Sequence, residues 1–518
     1  MPKESREKSS PFACRVDHII IQAGGKGNRL GELTKNKPKG IVPVDNKPII
    51  FHLFDKFPDK KFIVIGDYLF DVLKKYLHAF ANVKNIPVKA TGTGTCGGIG
   101  QALEFVPDGE PFMIIWSDII LAEGFNLDFE VSGNLIGISK DFECRWRYKD
   151  GVFEESPSKE HGVAGLFIFT DKEYLKDIPE NGEFVRRLSQ SGMEFDEISL
   201  SGAREVGTME AYNEQENGIK NKEFRCRPFN ELIFDGELVV KKYLDAQGKA
   251  LAQREVDWYR EAASLGFKQI PEITGYAPLT MKKIQGFNIF KKSRSEKEKL
   301  RLIDRLIASL SELHSLKTAQ NDRFSILEAY YTKTMSRLSG VRELIPLADE
   351  RHITVNGKSC RNVFFYRDSF YKKITDKLLD AEFAFIHGDC TFSNIMTDEE
   401  LNITLLDPRG YFGFTELYGD VFYDWSKLYY SIFGNYDQFN NKRFKLTIEE
   451  KSVNLETASN GFEDAAEYFL QNIPNRDDEK VKLIHAIIWL SLTTYAREDY
   501  DSICGAFYNG LYYLEDLL

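Results

Sequence analysis

A strand-like run, His18-Ile-Ile-Ile-Gln22, opens into Ala23-Gly-Gly-Lys-Gly-Asn-Arg29. A glycine-rich turn after an apolar strand has no side chains to hold a ligand away, so its backbone N–H groups can approach phosphate oxygens closely. Three glycines after a strand also make an ordinary tight turn, and the turn alone does not separate the two readings. The neighbouring cations do: Arg29 closes the turn, and Lys39 follows ten residues on in Asn36-Lys-Pro-Lys-Gly-Ile-Val-Pro-Val44. Two such cations would neutralise a triphosphate and the pyrophosphate that leaves it. Further along, the apolar run Phe112-Met-Ile-Ile-Trp116 is followed by Ser117-Asp118. A carboxylate just past a strand sits at the carboxyl edge of a parallel sheet, where ligands of open α/β folds collect, and it suits Mg²⁺. A second constellation stands in the C-terminal half, where Phe385-Ile-His-Gly-Asp389 precedes Asn394 and the run Ile403-Thr-Leu-Leu406 ends at Asp407. An Asp and an Asn five residues apart, followed by a strand-end Asp, suit phosphoryl transfer: one group orients a hydroxyl and two hold metal.

The stretch QAGGKGNRLGELTKNKPKGIVPV, from Gln22 to Val44, resembles the opening motif AAGxGxRxxxxTxxxPKxxxPV of one nucleotidyltransferase family. Members join a sugar phosphate or phosphocholine to a nucleoside triphosphate. Gln22 replaces the first alanine, while Arg29, Thr34, Pro38 and Lys39 fall in register. The resemblance implies that Gly24, Gly25, Gly27, Arg29 and Lys39 bind the nucleotide phosphates, with Arg29 and Lys39 acting in catalysis. Gly94-Thr-Cys-Gly-Gly98 is similar to the family's GTAGG segment near the nucleobase, which places Gly94, Thr95, Gly97 and Gly98 at the nucleotide. Asp118 is similar to the family's strand-end Mg²⁺ ligand. Where the family has D-x-G-T, this chain has Glu205-Val-Gly-Thr208. Glu205 then becomes the second metal ligand, although its extra methylene moves the oxygen and a surface glutamate is the other reading. Gly162-Val-Ala-Gly-Leu-Phe-Ile168 resembles the acceptor-side strand, with Gly165 leaving room for the phosphorylated substrate.

The C-terminal pattern resembles the aminoglycoside phosphotransferase and choline kinase superfamily, HGDxxxxN followed by a strand and D. By that resemblance Asp389 is the catalytic base, Asn394 and Asp407 are Mg²⁺ ligands, His387 braces the loop and Asp424 is architectural. Leu238-Val-Val-Lys-Lys242 resembles the strand lysine that grips ATP, with Glu255 as its helix partner. Strand side chains alternate and the register is not readable, so Lys241 is taken with Lys242 as the alternative. Leu279–Gly286 is placed like the hinge that meets adenine.

These groups need scaffolds. The β-branched runs His18–Ile21, Lys61–Ile65, Phe112–Trp116 and Leu166–Phe169 alternate with helical stretches, the pattern of a parallel α/β sheet. The expected architecture is an N-terminal tail over 1–16, then an α/β nucleotidyltransferase domain over 17–220, Rossmann-like with a mainly parallel sheet. An α+β protein-kinase-like domain is expected over 221–518. The polar segment Asn213–Glu223 marks the expected boundary. In the second part, Leu300, Ile303, Leu306, Ile307, Leu310 and Leu313 line one face of a helix. A chain of 518 residues, 42% hydrophobic and 28% charged, is a packed protein of more than one domain, which excludes a disordered or low-complexity chain. With 68 Lys+Arg against 79 Asp+Glu, a net charge of −11, nucleic acid is not an expected partner. Seven cysteines without a CxxC spacing point away from zinc or a disulfide framework and toward a reducing cytoplasm. Ala486–Ala496, the most apolar late stretch, is too short to span a bilayer, so no membrane insertion is expected.

A kinase makes a phosphate monoester and a nucleotidyltransferase consumes one. The fusion therefore reads as a bifunctional enzyme with Mg²⁺ as cofactor and three partners: ATP, a second NTP (CTP or UTP) and a small hydroxylated acceptor. Its product would be an NDP-activated precursor, and the resemblance implies that it feeds surface glycan synthesis. By resemblance, Thr95-Cys-Gly-Gly98, kept where the similar phosphocholine cytidylyltransferases carry an asparagine pair followed by SL, leans toward a sugar phosphate; choline or another amino alcohol with CTP is the alternative. A further alternative is that one domain is inactive and regulatory, against which the intact Asp389, Asn394, Asp407, Arg29 and Lys39 speak.

Overall fold

The computed structural model describes residues 15–129, 131–220, 230–243 and 246–518. Most of the expected tail, together with Cys14 and Cys226, lies outside these residues. Two compact units divide the chain, one of residues 1–223 with 498–500 and one of 224–497 with 501–518.

In the first unit the apolar runs form β1 (His18–Gln22), β2 (Lys61–Gly66) and β4 (Phe112–Trp116), and the more polar Lys84–Lys89 forms β3. They pair in parallel in the order β4-β1-β2-β3. Every residue of β1 is buried, as expected of a central strand covered on both faces. Helix α1 (Ile49–Lys56) joins β1 to β2 after the glycine-rich turn, and α2 (Phe70–Phe80) joins β2 to β3.

Beyond β4 the sheet is mixed. After β5 (Ile119–Ile120) and β6 (Leu135–Ser139), β7 (Gly162–Phe169) runs antiparallel to both β4 and β6. The physical reason lies in the connection: only the short strands Arg147–Lys149 and Val152–Glu154 separate β6 from β7, and a parallel return needs a crossover helix. Strand β8 (Asp196–Ser199) then adds in parallel to β6, and β9 (Arg204–Glu205) pairs antiparallel with β5. Ile20, Ile63 and Ile114 pack with Phe167, Phe169, Phe184 and Phe195 in one core. The polar segment expected as a linker from Asn213 is helical as far as Lys220, because its Glu, Gln and Lys residues are good helix formers.

The second unit begins with a four-stranded antiparallel sheet of β10 (Asn230–Asp235), β11 (Leu238–Tyr243), β12 (Ile273–Tyr276) and β13 (Leu279–Lys282), ordered β10-β11-β13-β12. Helix α3 (Ala246–Ser264) follows β11. The long helix α4 (Glu296–Ser315) starts at a capping box in which Ser295 and Glu298 satisfy each other's backbone N–H. Its buried face carries Ile303, Leu306, Ile307, Leu310 and Leu313 as expected, with Leu302 buried deeper than Leu300. Helix α5 (Lys333–Val341) continues from a π-type turn over Glu328–Thr332. Three short strands, β14 (Phe383–Phe385), β15 (Ile395–Thr397) and β16 (Ile403–Leu405), hold the loops bearing Asp389, Asn394 and Asp407. Helix α6 (Val421–Ile432) is apolar almost all round and buried accordingly, with Asp420 capping its start. Helix α7 (Asp478–Leu492) packs against it.

Candidate active sites

In the first unit, the strand ends bring two carboxylates and two cations together. Lys39 Nζ lies 2.6 Å from Asp118 Oδ2, and both side chains are largely buried. Burial works to raise the Asp118 carboxyl, but the Lys39 charge and hydrogen bond, with Arg29 beyond, hold it below the usual carboxylate value. The β5–β9 pairing sets Glu205 opposite Ile119, and Val206 N donates to Asp118 O at 2.9 Å. Glu205 is therefore a neighbour of Asp118 rather than a surface residue. Burial and then the Asp118 charge push its carboxyl up. Arg29 Nη2 stands 3.6 Å from Glu205 Oε1, with two thirds of its side chain (66%) exposed and able to meet a ligand. Gly207 shows how close the carboxylates are: a Cβ placed there would lie 2.4 Å from both Asp118 Oδ2 and Glu205 Oε1. Two carboxylates that both approach one point this closely fit Mg²⁺, which is commonly held by one or two carboxylates plus substrate phosphates. Among the described residues no group of three or more His, Cys, Asp or Glu forms a metal cluster.

The glycine-rich turn divides its work. Gly27 has φ +67°, and a Cβ there would touch Thr34 Cγ2 at 2.9 Å, so its glycine is required by the turn itself. Thr34 Oγ1 also donates to Gly27 O, tying the turn to the segment that carries Lys39. Gly25 by contrast faces open space and is exposed, while Gly24 sits against Asp67. Gly94, Gly97 and Gly98 are covered by chain: Cβ atoms there would meet Gly182 O, Gly92 O and Ile65 Cγ2 at 2.3, 2.7 and 2.4 Å. Thr95 Oγ1 accepts from Phe184 N. Gln22 reaches across from β1 and donates to Thr95 O at 2.8 Å and Gly97 O at 3.0 Å, which gives the departure from the family's alanine a physical role. The open space expected over Gly165 is taken by an aromatic ring. Gly165 has φ +81° in a bulge of β7, and a Cβ there would sit 1.8 Å from Trp116 Cε3. Its missing side chain makes room for Trp116, so any substrate on that side meets the indole first.

In the second unit, the β11–β13 register turns Lys241 inward while Lys242 is exposed. Lys241 Nζ lies 2.7 Å from both Glu255 Oε2 and Asp407 Oδ1. Burial pushes the Glu255 carboxyl up to about 7 despite that partner, and the two carboxylates raise Lys241 although burial opposes it. Asp407 has φ +51° and a side chain 58% exposed, so its outer oxygen is open to a ligand. Trp258, one turn beyond Glu255 on α3, donates to Ile386 O at 2.7 Å and ties that helix to the Asp389 loop. Asn394 Nδ2 donates to Asp389 O at 2.8 Å and to Asp389 Oδ2 at 3.1 Å, and Leu406 N donates to Asn394 O. Asp389, Asn394 and Asp407 are thus held in one cluster, which fits a metal shared with substrate phosphates.

Asp424 braces the loop from α6, accepting from His387 N at 2.8 Å, Gly388 N at 2.7 Å and His314 Nε2 at 3.0 Å. His387 is buried and accepts from Asp389 N through Nδ1. Lys427, three residues after Asp424, pairs with Asp389 Oδ1 at 2.9 Å and was not among the sequence candidates. Its spacing from Asp424 on a helix was the available signal, since residues three apart share a face. Trp116 and Gly207 were missed because nothing local marks a ring filling a glycine's space, or a glycine set tight against two carboxylates.

The family model described as nucleotidyl transferase matches residues 18–130, and the one described as phosphotransferase enzyme family matches residues 232–439. The UTP--glucose-1-phosphate uridylyltransferase of Haloferax volcanii is 35% identical over 106 residues, 20% of this chain and 43% of that protein. The D-glycero-alpha-D-manno-heptose 1-phosphate guanylyltransferase of Campylobacter jejuni is 33% identical over 186 residues, 32% of this chain and 80% of that protein. The chain thus spans less than half the length of the first relative and four fifths of the second. A solved UDP-glucose pyrophosphorylase complexed with UDP-glucose is similar at 14% identity and a TM-score of 0.34, over 40% of this chain and 99% of that one.

Proposed function

Since the chain belongs to the nucleotidyl transferase family by its N-terminal part and carries a phosphotransferase enzyme family domain behind it, we propose that it runs two consecutive activations of one small molecule. The domain over 221–518 phosphorylates a hydroxylated acceptor with ATP. The domain over 17–220 then joins that phosphate monoester to a nucleoside monophosphate taken from an NTP, releasing pyrophosphate. The observation that supports this most is that each half carries its own assembled cluster: Lys39, Asp118, Glu205 and Arg29 in one, Lys241, Glu255, Asp407, Asn394 and Asp389 in the other.

At the first cluster, backbone N–H groups of Gly24, Gly25 and Gly27 receive phosphate oxygens, and Arg29 and Lys39 balance the charge that develops on the departing pyrophosphate. Asp118 and Glu205 would hold Mg²⁺. At the second, Glu255 orients Lys241 toward the ATP phosphates, and Asp389 takes the acceptor's hydroxyl proton as its oxygen attacks the γ-phosphorus in line. Asn394 and Asp407 would hold Mg²⁺ there. When bound, Mg²⁺ offsets charge on the phosphate oxygens at both centres. Gly94-Thr-Cys-Gly-Gly98 lies near the nucleobase in this reading, and the acceptor is a sugar whose NDP form feeds surface glycan synthesis in the cytoplasm. No helix among the described residues is long and apolar enough to cross a membrane. CTP or UTP is the expected second nucleotide, and GTP joins the test because the heptose relative is a guanylyltransferase by name. Pyrophosphate release measured with each NTP and a panel of sugar 1-phosphates and phosphocholine tests the first half. Release with phosphocholine alone would replace the sugar by an amino alcohol.

A further inference from the structure

Four basic side chains gather beside Asp389. Lys427 Nζ, from α6, pairs with Asp389 Oδ1 itself. Arg409, two residues past Asp407, donates from Nη1 to Tyr423 OH at 2.7 Å and from Nη2 to Tyr411 OH at 3.0 Å, and stacks on the Tyr411 ring at 4.5 Å. Lys333 and Arg337 lie four apart on α5 and so share a face. Arg337 donates from Nη1 to Ser491 O at 2.7 Å and lies over the Tyr495 ring. None of Lys333, Arg337 and Arg409 has a carboxylate within ion-pairing distance among the described residues. All four side chains are half-buried rather than fully solvated.

The carboxylates facing this group are Asp389, already paired with Lys427, and Glu328. Arg337, Arg409 and Lys427 against Asp389 and Glu328 leave positive charge in excess even with Lys333 neutral. Burial, and then the charges of Arg409, Arg337 and Lys427, push the Lys333 ammonium down to about 6. A quaternary ammonium or amino-sugar acceptor would be repelled here, whereas an anion would supply the missing charge. The phosphates of ATP have another grip, since Lys241, Glu255 and Asp407 come from β11, α3 and the end of β16.

We infer that the molecule phosphorylated at Asp389 carries an anionic group, a carboxylate or a phosphate, seated against Lys333, Arg337 and Arg409. This rests on reading the second unit as a phosphotransferase. In the step itself the acceptor hydroxyl gives its proton to Asp389, its oxygen bonds to the γ-phosphorus, the bond from that phosphorus to the bridging oxygen breaks, and ADP leaves. The anionic group takes no part in bond making; it fixes which hydroxyl reaches Asp389. The class of acceptor is then a sugar acid or a sugar phosphate, and choline is excluded.

The test is ADP release by the full chain with ATP, Mg²⁺ and matched acceptors: neutral hexoses, their uronates, their 6-phosphates, and choline. A uronate or a 6-phosphate should exceed its neutral parent at least tenfold in kcat/KM, and which of the two does so separates carboxylate from phosphate. Lys333→Gln should raise KM for that acceptor at least tenfold while KM for ATP shifts less than threefold, and Lys333→Arg should restore it. Arg337→Gln should raise the same KM, an independent second reading of the cluster, and an unchanged KM counts against it. Preference for the neutral hexose or for choline overturns the inference while leaving phosphotransfer intact. A Lys333→Gln loss equal for neutral and anionic acceptors overturns it as well. No ADP with any acceptor removes the phosphotransferase reading, and this inference with it.

Discussion

Replacing Asp389 by Asn removes a base while keeping a side chain of the same shape. The Asn394 amide still has an oxygen to meet at the position of Asp389 Oδ2, 3.1 Å away, so the loop should keep its course. Lys427 loses its anionic partner at 2.9 Å, and its side chain is only 12% exposed. Breaking a fully buried pair costs about 3–5 kcal/mol, but Asp389 is 30% exposed and water can reach the ammonium, so a loss of about 1–2 kcal/mol in stability is expected. Loss of a positioned general base lowers kcat by about 10²–10⁴, equivalent to about 3–5 kcal/mol in the barrier. The rate effect therefore exceeds the stability effect, and a thermal melt beside a rate measurement separates them. Two assays on one preparation make the test: ADP release with ATP and acceptor, and pyrophosphate release with NTP and a supplied sugar phosphate. The first should collapse and the second should hold. Wild-type ADP release in Asp389→Asn would refute the assignment of the base, and joint loss of both activities in folded protein would refute two independent centres.

Asp118→Asn is the mirror case: pyrophosphate release should fall by about two orders of magnitude or more as an anionic ligand is lost, with ADP release retained, and the reverse pattern would contradict the metal assignment. Gly207→Ala places a methyl 2.4 Å from both Asp118 Oδ2 and Glu205 Oε1 and should force the carboxylates apart, so that the Mg²⁺ concentration for half-maximal pyrophosphate release rises; an unaltered Mg²⁺ titration would count against the shared site. His485 on α7 is buried, accepts from Trp489 Nε1 at 3.0 Å, and is pushed down to about 3 by burial. Its folded pKa is depressed, so its contribution to stability is complete above the ordinary histidine value and is lost as pH falls. Between pH 7 and 5 that loss is about 2 kcal/mol. Denaturant unfolding at the two pH values should show a steeper fall in wild type than in His485→Gln, and equal falls would refute the burial argument.

The strands that carry the chemistry were legible because each is a short apolar run ending at a polar group: His18–Gln22 before the glycines, Phe112–Trp116 before Asp118, Ile403–Leu405 before Asp407. Pairing direction was less legible. It depends on what joins two strands, and the missing crossover helix before Gly162–Phe169 makes that half of the sheet antiparallel. The choice between Lys241 and Lys242 waited on register, which β13 supplies by pairing Lys241 with Leu279. Gly165 looked like space for a substrate, since a sequence cannot show that Trp116, 49 positions away, fills it. The basic cluster was illegible for the same reason: Lys333, Arg337, Arg409 and Lys427 come from two helices and a loop, and only the fold gathers them.

The central claim is that both half-reactions act in sequence on one acceptor, and a single incubation tests it most directly. The full chain is mixed with a sugar acceptor whose target hydroxyl is free, ATP, the preferred NTP and Mg²⁺, and the products are quantified by mass spectrometry. An NDP-linked acceptor appearing with one ADP and one pyrophosphate per molecule, and vanishing in both Asp389→Asn and Asp118→Asn, is the predicted result. An NDP-linked product that forms only from a supplied phospho-acceptor, with no ADP released from any free acceptor, would contradict it.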